Sequence, residues 1–238
     1  MMKFLYHYTS LQALNGIIPY NASKLVLHAS VASSMNDPTE VQNGYDCLLK
    51  GFPSNGINES LKQKLIQQGR SSLFITSFSS NSDSLPLWIS YAENGTGICL
   101  KFRRDVIEDA IKGTGNLMDV VYSNEDKNNN RKEILEKNRI NRIDSEQINM
   151  YIFSCKNSIY SFEKEIRCCF VVDSDSPLIK KRLRSDGVIS YYVFRLPFIA
   201  LSQIIIGPKA SKQTIQLIRE YLPNSMNVKI LQSKIPYR

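Results

Sequence analysis

Two acidic residues and an arginine lie close together about two-thirds of the way along this chain of 238 residues. The segment Tyr160–Arg167 contains Glu163, Glu165 and Arg167, and it leads into the apolar run Cys168–Val172. If that run is a β-strand, the alternation of its side chains places Glu163, Glu165 and Arg167 on one face. Charge at the mouth of a buried strand is costly and is often functional. An exposed strand end with a surface ion pair explains the local pattern equally well.

Two other side chains could contribute to a small-molecule site. His7 lies between Tyr6 and Tyr8, where the first predicted strand ends and a helix cap follows. Tyr91 follows Trp88 by one turn of a short predicted helix and could offer its ring to a flat ligand. Trp88 itself is predicted to anchor the core. A lone histidine on a strand is more often a satisfied structural residue than a catalytic one, and the two tyrosines and the helix cap raise the odds of a functional role for His7 only somewhat.

The composition is that of a globular domain. The chain is 42% hydrophobic and 22% charged, which is enough to bury one core, so we predict a single domain over residues 1–238. No apolar stretch is long enough to span a bilayer, and the first residues lack the pattern of a signal peptide. Five cysteines and only two histidines predict buried thiols rather than a zinc site. We therefore expect a cytoplasmic protein without membrane association.

The chain is basic, with a net charge of +8 and a pI of about 9.2. Such a balance favours an anionic partner, for example a nucleic acid or a phosphate-bearing cofactor. Basic residues concentrate in two segments, Lys127–Arg142 and Lys180–Arg184. A solvated face explains each segment as well as a surface that tracks phosphates does.

Periodicity and turn residues predict strands and helices in mixed order, without sustained β-α-β alternation. The predicted strands are Lys3–Tyr8, Lys24–His28, Leu73–Phe78, Ile98–Phe102, Met118–Tyr122, Ile166–Val172, Val188–Arg195, Gln203–Ile206 and Val228–Leu231. The predicted helices are Leu11–Asn15, one that starts at Pro38, Asn55–Gly69, a short one around Pro86–Tyr91, Asp105–Lys112, Arg131–Asn157 and Ser211–Tyr221, with a surface loop at Asn124–Asn130. This order predicts an α+β fold with largely antiparallel sheets.

Several short motifs stand in order along almost the whole chain. They are Tyr6-His7-Tyr8-Thr9, Asn36-Asp37-Pro38-x-Glu40, Ser77-Phe78-Ser79, Trp88-x-x-Tyr91-Ala92, Gly97-Ile98-Cys99-Leu100-x-Phe102, Lys156-x-x-x-Tyr160-x-x-Glu163-x-Glu165-x-Arg167 and Ile205-Ile206-Gly207-Pro208. Together they resemble a bacterial family of unknown-function domains, numbered 2971. The family usually has Trp where this chain has Tyr160, which is still aromatic.

That family in turn resembles a divergent branch of the ADP-ribosyltransferase-like fold, in which split, largely antiparallel sheets are flanked by helices. The resemblance implies NAD as co-substrate and a His–Tyr–Glu triad, for which the candidates are His7, Tyr91 and Glu165. In such enzymes the histidine holds the adenosine-side ribose, the tyrosine stacks on nicotinamide and the glutamate orients the nicotinamide ribose. Glu163 would be the paired acid that handles the acceptor.

The resemblance extends the cofactor site to neighbouring residues. Tyr8 and Thr9 share the motif of His7 and are assigned to the same site. The pyrophosphate would meet Arg167 or Arg70, and the pattern does not choose between them. Asn36 is also assigned to the cofactor, although with Asp37 it could equally shape a turn, which is the favoured interpretation.

The chemistry fits these residue types. Loss of nicotinamide from NAD passes through an oxocarbenium-like state, which a fixed carboxylate stabilises more than the ground state. A stacked ring fixes the nicotinamide. No metal is required.

Three functions follow as hypotheses. The first is an NAD-dependent mono-ADP-ribosyltransferase that modifies a nucleic acid, RNA favoured over DNA, and acts as an intracellular toxin or anti-phage effector held in check by an antitoxin protein. The second is a metal-dependent nuclease that uses Asp37, Glu163 and Glu165. The third is a binding module with Tyr191–Arg195 as its aromatic and basic surface, although a core strand is the preferred interpretation of that run.

Overall fold

A computed structural model describes residues 3–34, 40–50, 73–137, 145–184 and 187–237. The strands are β1 Phe4–Thr9, β2 Lys24–Val31, β3 Leu73–Ser79, β4 Ile98–Arg103, β5 Asn116–Asp119, β6 Glu165–Val171, β7 Ile179–Arg184, β8 Gly187–Pro197, β9 Leu201–Ile206 and β10 Lys229–Gln232. The helices are α1 Ala13–Ile17, α2 Glu40–Leu49, α3 Leu85–Tyr91, α4 Arg104–Ile111, α5 Asn124–Lys137, α6 Ser145–Ser154 and α7 Gln213–Tyr221. None of these helices has the length and apolar character that crossing a bilayer requires.

The ten strands form one hydrogen-bonded sheet that is largely antiparallel. Its main path runs β10-β9-β4-β1-β3-β2-β8-β7, and only β9 and β10 pair in parallel. A branch leaves this path at β3, where β6 pairs with β3 and β5 pairs with β6. The structure therefore has the mixed helices and antiparallel strands that the sequence predicts.

The sheet divides into two arms at β3. One edge of β3 pairs with β6 along its whole length. The other edge is shared, because Tyr6 of β1 pairs with Ser79 at one end and Ser30 of β2 pairs with Ile75 near the other. Since a strand has only two edges, β1 and β2 must part along the middle of β3. The arms β1-β4-β9-β10 and β2-β8-β7 thus diverge from one central strand, which leaves a gap between them.

The two faces of β3 and β6 carry different chemistry. One face contributes Phe74, Phe78, Ile166 and Phe170 to the main core, which α1, α4 and α7 cover. On the other face, the side chains are apolar at the start of β3 and polar at its end. At its apolar end Leu73, Ile75 and Cys169 pack against α2 and α6, and at its polar end lie Ser77, Ser79, Glu165 and Arg167. The charged residues are therefore held on the same rigid strands as the core.

The five cysteines follow the sequence prediction closely. All are free thiols, and every one except Cys47, which is half-buried, lies in the interior. Burial raises the pKa of the Cys168 and Cys169 thiols, so neither thiol ionises readily at neutral pH. These residues act as small apolar side chains.

Most predicted strands and helices form, with ends shifted by a few residues, but two predictions differ from the structure. The predicted loop Asn124–Asn130 is wrong, because it lies in α5, whose start is capped by Ser123 Oγ accepting from the Asp126 amide at 3.0 Å. Strand β7 forms where the sequence predicts no strand, because its basic residues indicate a solvated segment. The described parts of the predicted helix Arg131–Asn157 lie in α5 and in α6, which ends at Ser154, and residues 138–144 lie outside the described part.

The predicted helix at Asn55–Gly69, and the Asn36–Pro38 turn before α2, lie outside the described residues.

Candidate active site

A cleft of about 630 Å³ opens where β1 and β2 part. Its volume is typical of a small-molecule site, for which about 300–1,000 Å³ is usual. Side chains from both arms and from the middle of β3 line it, among them His7, Thr9, His28, Ser77, Tyr91 and Arg182. The gap in the sheet thus brings together residues that are far apart in sequence.

His7 lines the cleft directly after Tyr6, the residue of β1 that pairs with β3. Its Nδ1 lies 2.9 Å from the main-chain oxygen of Ser77. Since a carbonyl oxygen can only accept, Nδ1 carries the proton in this bond. Burial lowers the pKa of His7, and the bond to Ser77 offsets this only in part, so the ring is neutral at neutral pH. Nε2 of the neutral ring is then an acceptor, suited to a ligand hydroxyl.

Glu165 is a fully engaged carboxylate at the start of β6. Its Oε1 accepts from Ser77 Oγ at 2.6 Å and from Arg167 Nε at 3.0 Å. Its Oε2 accepts from Arg167 Nη2 and Lys156 Nζ, both at 2.9 Å. Burial by itself would raise the pKa of Glu165. The charges and hydrogen bonds of Arg167, the charge of Lys156 and the Ser77 hydroxyl outweigh it and lower that pKa to about 2.

Glu163 reaches the same cluster by a turn rather than along the strand. It ends a short 3-10 helix, and Lys164, with a φ of 43°, adopts the left-handed conformation before β6 begins. Glu163 Oε1 accepts from Tyr91 OH at 2.6 Å, and Oε2 accepts from Lys156 Nζ at 2.5 Å. Lys156 therefore bridges Glu163 and Glu165. The predicted alternation holds for Glu165 and Arg167 only.

The cluster is buried and balanced in charge. The exposed fractions are 5% for Glu163 and Lys156, 4% for Glu165 and 1% for Arg167. Two carboxylates face two cations, and such pairing is what allows charges to be buried. The alternative interpretation of the sequence, an exposed strand end with a surface ion pair, is therefore wrong.

Arg167 does not line the cleft. Besides its bonds to Glu165, its Nη1 donates to the carbonyl oxygen of Phe153 at 2.7 Å. A pyrophosphate in the cleft would not meet this buried guanidinium. Arg70, the alternative for that role, lies outside the described residues.

Ser77 and Tyr91 connect the cleft to the cluster. Both line the cleft, and each donates a hydrogen bond to one of the glutamates. Burial and the nearby Glu163 raise the pKa of Tyr91, which keeps its hydroxyl protonated as a donor. Glu163 and Glu165 therefore stand one hydrogen bond behind the cleft wall, while the Tyr91 ring is 37% exposed.

The other predicted cofactor residues have different outcomes. Thr9 lines the cleft, but Tyr8 points to the opposite face of β1, where its ring packs on Trp88 with centroids 5.0 Å apart. The prediction of Trp88 as a core anchor is confirmed, since it is fully buried. Asn36 lies outside the described residues.

Three residues at the site received no role from the sequence. Ser77 and Lys156 are part of the ordered motifs, so the motifs flagged them without explaining them. Arg182 is in the predicted basic segment Lys180–Arg184, but only the pairing of β7 with β8 brings it to the cleft.

Two of the three acids that the nuclease hypothesis uses are already paired with a cation. Glu163 and Glu165 already contact Lys156, which reduces their attraction for a divalent cation. Asp37 lies outside the described residues. Within the described ranges, no three His, Cys, Asp or Glu residues are grouped so as to hold a metal ion.

Of the comparisons with known proteins, one supports the family resemblance over part of the chain. No curated protein matches the chain. Residues 87–168 match a family model described as a protein of unknown function, DUF2971. The matched segment runs from α3 into β6 and contains Tyr91, Lys156, Glu163, Glu165 and Arg167. The match supports the resemblance to the family numbered 2971 over the part of the chain that builds the carboxylate cluster.

Proposed function

We propose that the protein is an NAD-dependent mono-ADP-ribosyltransferase that modifies a nucleic acid, RNA favoured over DNA. It acts as an intracellular toxin or anti-phage effector, neutralised by an antitoxin protein. The observation that carries the proposal is the cleft between the two arms of the sheet. His7 and Tyr91 line it, and Glu165 lies behind Ser77 in its wall. An ADP-ribosyltransferase-like fold accounts for a split antiparallel sheet with a ligand site at the split.

Each member of the triad has a suitable chemical state. The neutral His7 presents Nε2 as an acceptor for a ribose hydroxyl. The Tyr91 ring is exposed to the cleft and is braced by Glu163, so it can stack on nicotinamide without first being ordered. Glu165 stays ionised even in mild acid, which suits a group that stabilises developing positive charge.

Glu165 would contact the substrate when a substrate hydroxyl takes the place of the Ser77 hydroxyl as its hydrogen-bond donor. Among the donors to Glu165, only the Ser77 hydroxyl also lines the cleft. A ribose hydroxyl entering there would replace it as the donor to Oε1. The carboxylate would remain fixed by Arg167 and Lys156 throughout, so little reorganisation is needed.

The transfer itself is a substitution at C1′ of the nicotinamide ribose. The C1′–N bond breaks, and its electron pair goes to the nicotinamide nitrogen. A nucleophile of the acceptor attacks C1′ and loses its proton. Glu163 is the proposed base, because it receives only two hydrogen bonds from described residues and so has acceptor capacity left.

The net charge supports a nucleic-acid acceptor. The chain carries +8, and Lys180, Lys181 and Arg182 are exposed along the edge strand β7. Positive charge of this kind attracts a phosphate backbone without reading its sequence. The charge does not distinguish RNA from DNA, so both acceptors enter the test.

The test is release of nicotinamide and transfer of label from NAD labelled in the adenylate. Purified RNA, DNA and protein are offered in turn to the wild type and to Glu163→Gln, Glu165→Gln and Tyr91→Phe. We expect label on RNA, and a rate at least about 100-fold lower in Glu165→Gln, as when one transition-state contact is lost. Glutamine is preferred to alanine because it keeps the shape of a buried side chain.

The matched control is Glu108→Gln, which removes a partly exposed carboxylate on α4. Circular dichroism melting confirms that each variant is folded. Wild-type protein that neither releases nicotinamide nor labels any acceptor would refute the proposal. Cleavage of nucleic acid that a chelator abolishes would replace it with the nuclease.

A further inference from the structure

Arg182 is the one charged side chain among the described residues that line the cleft, and no Asp or Glu accompanies it there. Its contacts within the described chain are with a serine hydroxyl, a histidine nitrogen and an aromatic ring. No carboxylate is among them. Within the described ranges, the cleft therefore contains a full positive charge that no carboxylate contacts.

The guanidinium is held in position without losing that charge. Arg182 lies on β7, and its side chain reaches across β8 to β2, where Nη2 donates to Ser30 Oγ at 3.2 Å. On the way it covers the Tyr191 ring, with 5.3 Å between the guanidinium carbon and the ring centroid. A cation over an aromatic face is stabilised and oriented while staying available to an anion.

His28 completes this end of the cleft as a neutral group. Its Nδ1 lies 3.5 Å from Arg182 Nη1, and its ring packs on Tyr191 with centroids 4.5 Å apart. Burial, with a further contribution from the Arg182 charge, lowers the pKa of His28. At neutral pH His28 therefore neither repels Arg182 nor cancels its charge.

These features match a phosphate better than other ligands. A guanidinium has five N–H donors in a planar fork that fits phosphate oxygens in pairs, and only part of that fork is used here. Arg182 contacts Ser30, which pairs with Ile75, whereas Tyr91 contacts Glu163, whose main-chain oxygen accepts from Ser79 Oγ. Arg182 and Tyr91 therefore approach the cleft at different points along β3, and the proposed function places the nicotinamide riboside half near Tyr91. A molecule that spans both points needs its negative charge some distance from its flat ring, as a dinucleotide has.

We infer that Arg182, oriented by Tyr191 and Ser30, binds the pyrophosphate of the nicotinamide dinucleotide. The inference rests on the proposed function and adds to it the residue that recognises the phosphates. It also replaces Arg167 in that role, since every contact of Arg167 described above is made inside the buried cluster.

The test is calorimetric titration with ADP-ribose, which contains the pyrophosphate but is not consumed, and with nicotinamide riboside, which lacks phosphate. Arg182→Gln should bind ADP-ribose about 10- to 100-fold more weakly, the effect of losing a charge-assisted contact. Its affinity for nicotinamide riboside should be unchanged. Tyr191→Leu keeps the charge but removes its support, and we expect a smaller loss of about 2- to 10-fold.

The control is Lys181→Gln, which removes the same charge from the next residue of β7. Alternation along the strand points Lys181 away from the cleft. An equal loss in Lys181→Gln would mean that overall charge, and not a site, binds the ligand, and would overturn the inference. So would unchanged ADP-ribose binding by Arg182→Gln.

Two further outcomes separate the inference from the proposed function. If Arg182→Gln loses affinity for single-stranded RNA but keeps it for ADP-ribose, Arg182 serves the acceptor and the inference falls while the transferase stands. If the wild type binds ADP and inorganic pyrophosphate through Arg182 but never releases nicotinamide, the phosphate site stands and the transferase falls.

Discussion

Arg167 and Arg182 lie in the same sheet but in opposite electrostatic situations. Arg167 is 1% exposed, and its guanidinium is bound to Glu165 through two nitrogens. Arg182 is exposed at the cleft, and the described residues that it contacts are neutral. Burial requires a charge to be neutralised, whereas a cleft open to water does not. The charge of Arg167 is therefore neutralised by Glu165, whereas the charge of Arg182 faces the cleft without a described carboxylate partner.

The same contrast explains why the carboxylates sit behind the cleft wall. Lys156 contacts both Glu163 and Glu165, and Arg167 contacts Glu165, so both carboxylates are held in place before a ligand arrives. Arg182 has no carboxylate among its described contacts. Under the proposed function, the carboxylates would stabilise positive charge on a ribose, and Arg182 would attract negative charge.

Replacing the buried Arg167 should cause the largest loss in the free energy of unfolding. Arg167→Met leaves Glu165 without its main partner, and we expect a loss of about 3–5 kcal/mol in the free energy of unfolding. Urea denaturation followed by circular dichroism measures it. Arg182→Gln, which removes the same charge from the cleft, should change stability by less than about 0.5 kcal/mol. Similar losses in the two variants would contradict the contrast between the arginines.

A smaller effect is expected in the pH dependence of stability. The pKa of Glu165 falls from 4.5 to about 2 on folding, so the unfolded chain binds the proton more tightly than the folded protein does. The resulting stabilisation is fully present above about pH 5 and is lost as the pH falls toward 2, and it amounts to about 3 kcal/mol.

Unfolding free energies of the wild type and Glu165→Gln across this range test that expectation. The variant lacks the titrating group and should show a correspondingly flatter acid limb. Parallel curves for the two proteins would show that Glu165 does not have the depressed pKa.

The Tyr91 hydroxyl should contribute less to the free energy of unfolding than Arg167 does. Tyr91→Phe removes the bond to Glu163 and should cost about 1.5–3 kcal/mol, the range for a hydrogen bond to a charged group and an upper bound for this partly exposed tyrosine. Because the ring remains, KM for NAD should change little, whereas Tyr91→Ala should raise it. Tyr20→Phe, at a side chain that is 81% exposed, is the control for stability. A rise in KM equal to that of Tyr91→Ala would exclude ring stacking as the main role.

The smallest effect should be that of the hydroxyl which orients Arg182. Ser30→Ala removes a neutral donor–acceptor partner and should weaken ADP-ribose binding by about 2- to 10-fold, less than Arg182→Gln does. Ser202→Ala, on β9 in the other arm, should bind as the wild type does. Loss of affinity in Ser30→Ala as large as in Arg182→Gln would indicate that Ser30 itself contacts the ligand.

Local sequence predicted the elements of the site better than their arrangement. The alternation along β6 correctly placed Glu165 and Arg167 on one face, because a strand has a period of two whatever surrounds it. It misplaced Glu163 on the strand, because the left-handed turn at Lys164 is stabilised by tertiary contacts. Among these, Ser80 N donates to Lys164 O at 3.0 Å. Nothing about Lys164 as a residue type signals that conformation.

No local sequence pattern predicts that Lys156 contacts the two glutamates or that Arg182 lines the cleft. Lys156 follows α6 and is brought to the two glutamates by packing between elements, and a lysine in a polar segment usually lies on the surface. Arg182 belongs to a run of basic residues whose solvent-facing and cleft-facing members look alike in sequence. Only the register between β7 and β8 distinguishes them.

The sequence by itself determined the antiparallel α+β character, the apolar strands of the core and the residue types of the site, because these depend on side-chain periodicity and on chemistry carried by each residue. Tertiary structure alone decided where the sheet divides, which charges are neutralised and which face the cleft. Those outcomes depend on the sharing of one edge of β3 by β1 and β2, and on long-range contacts that set the dielectric surroundings and the partners of each charge.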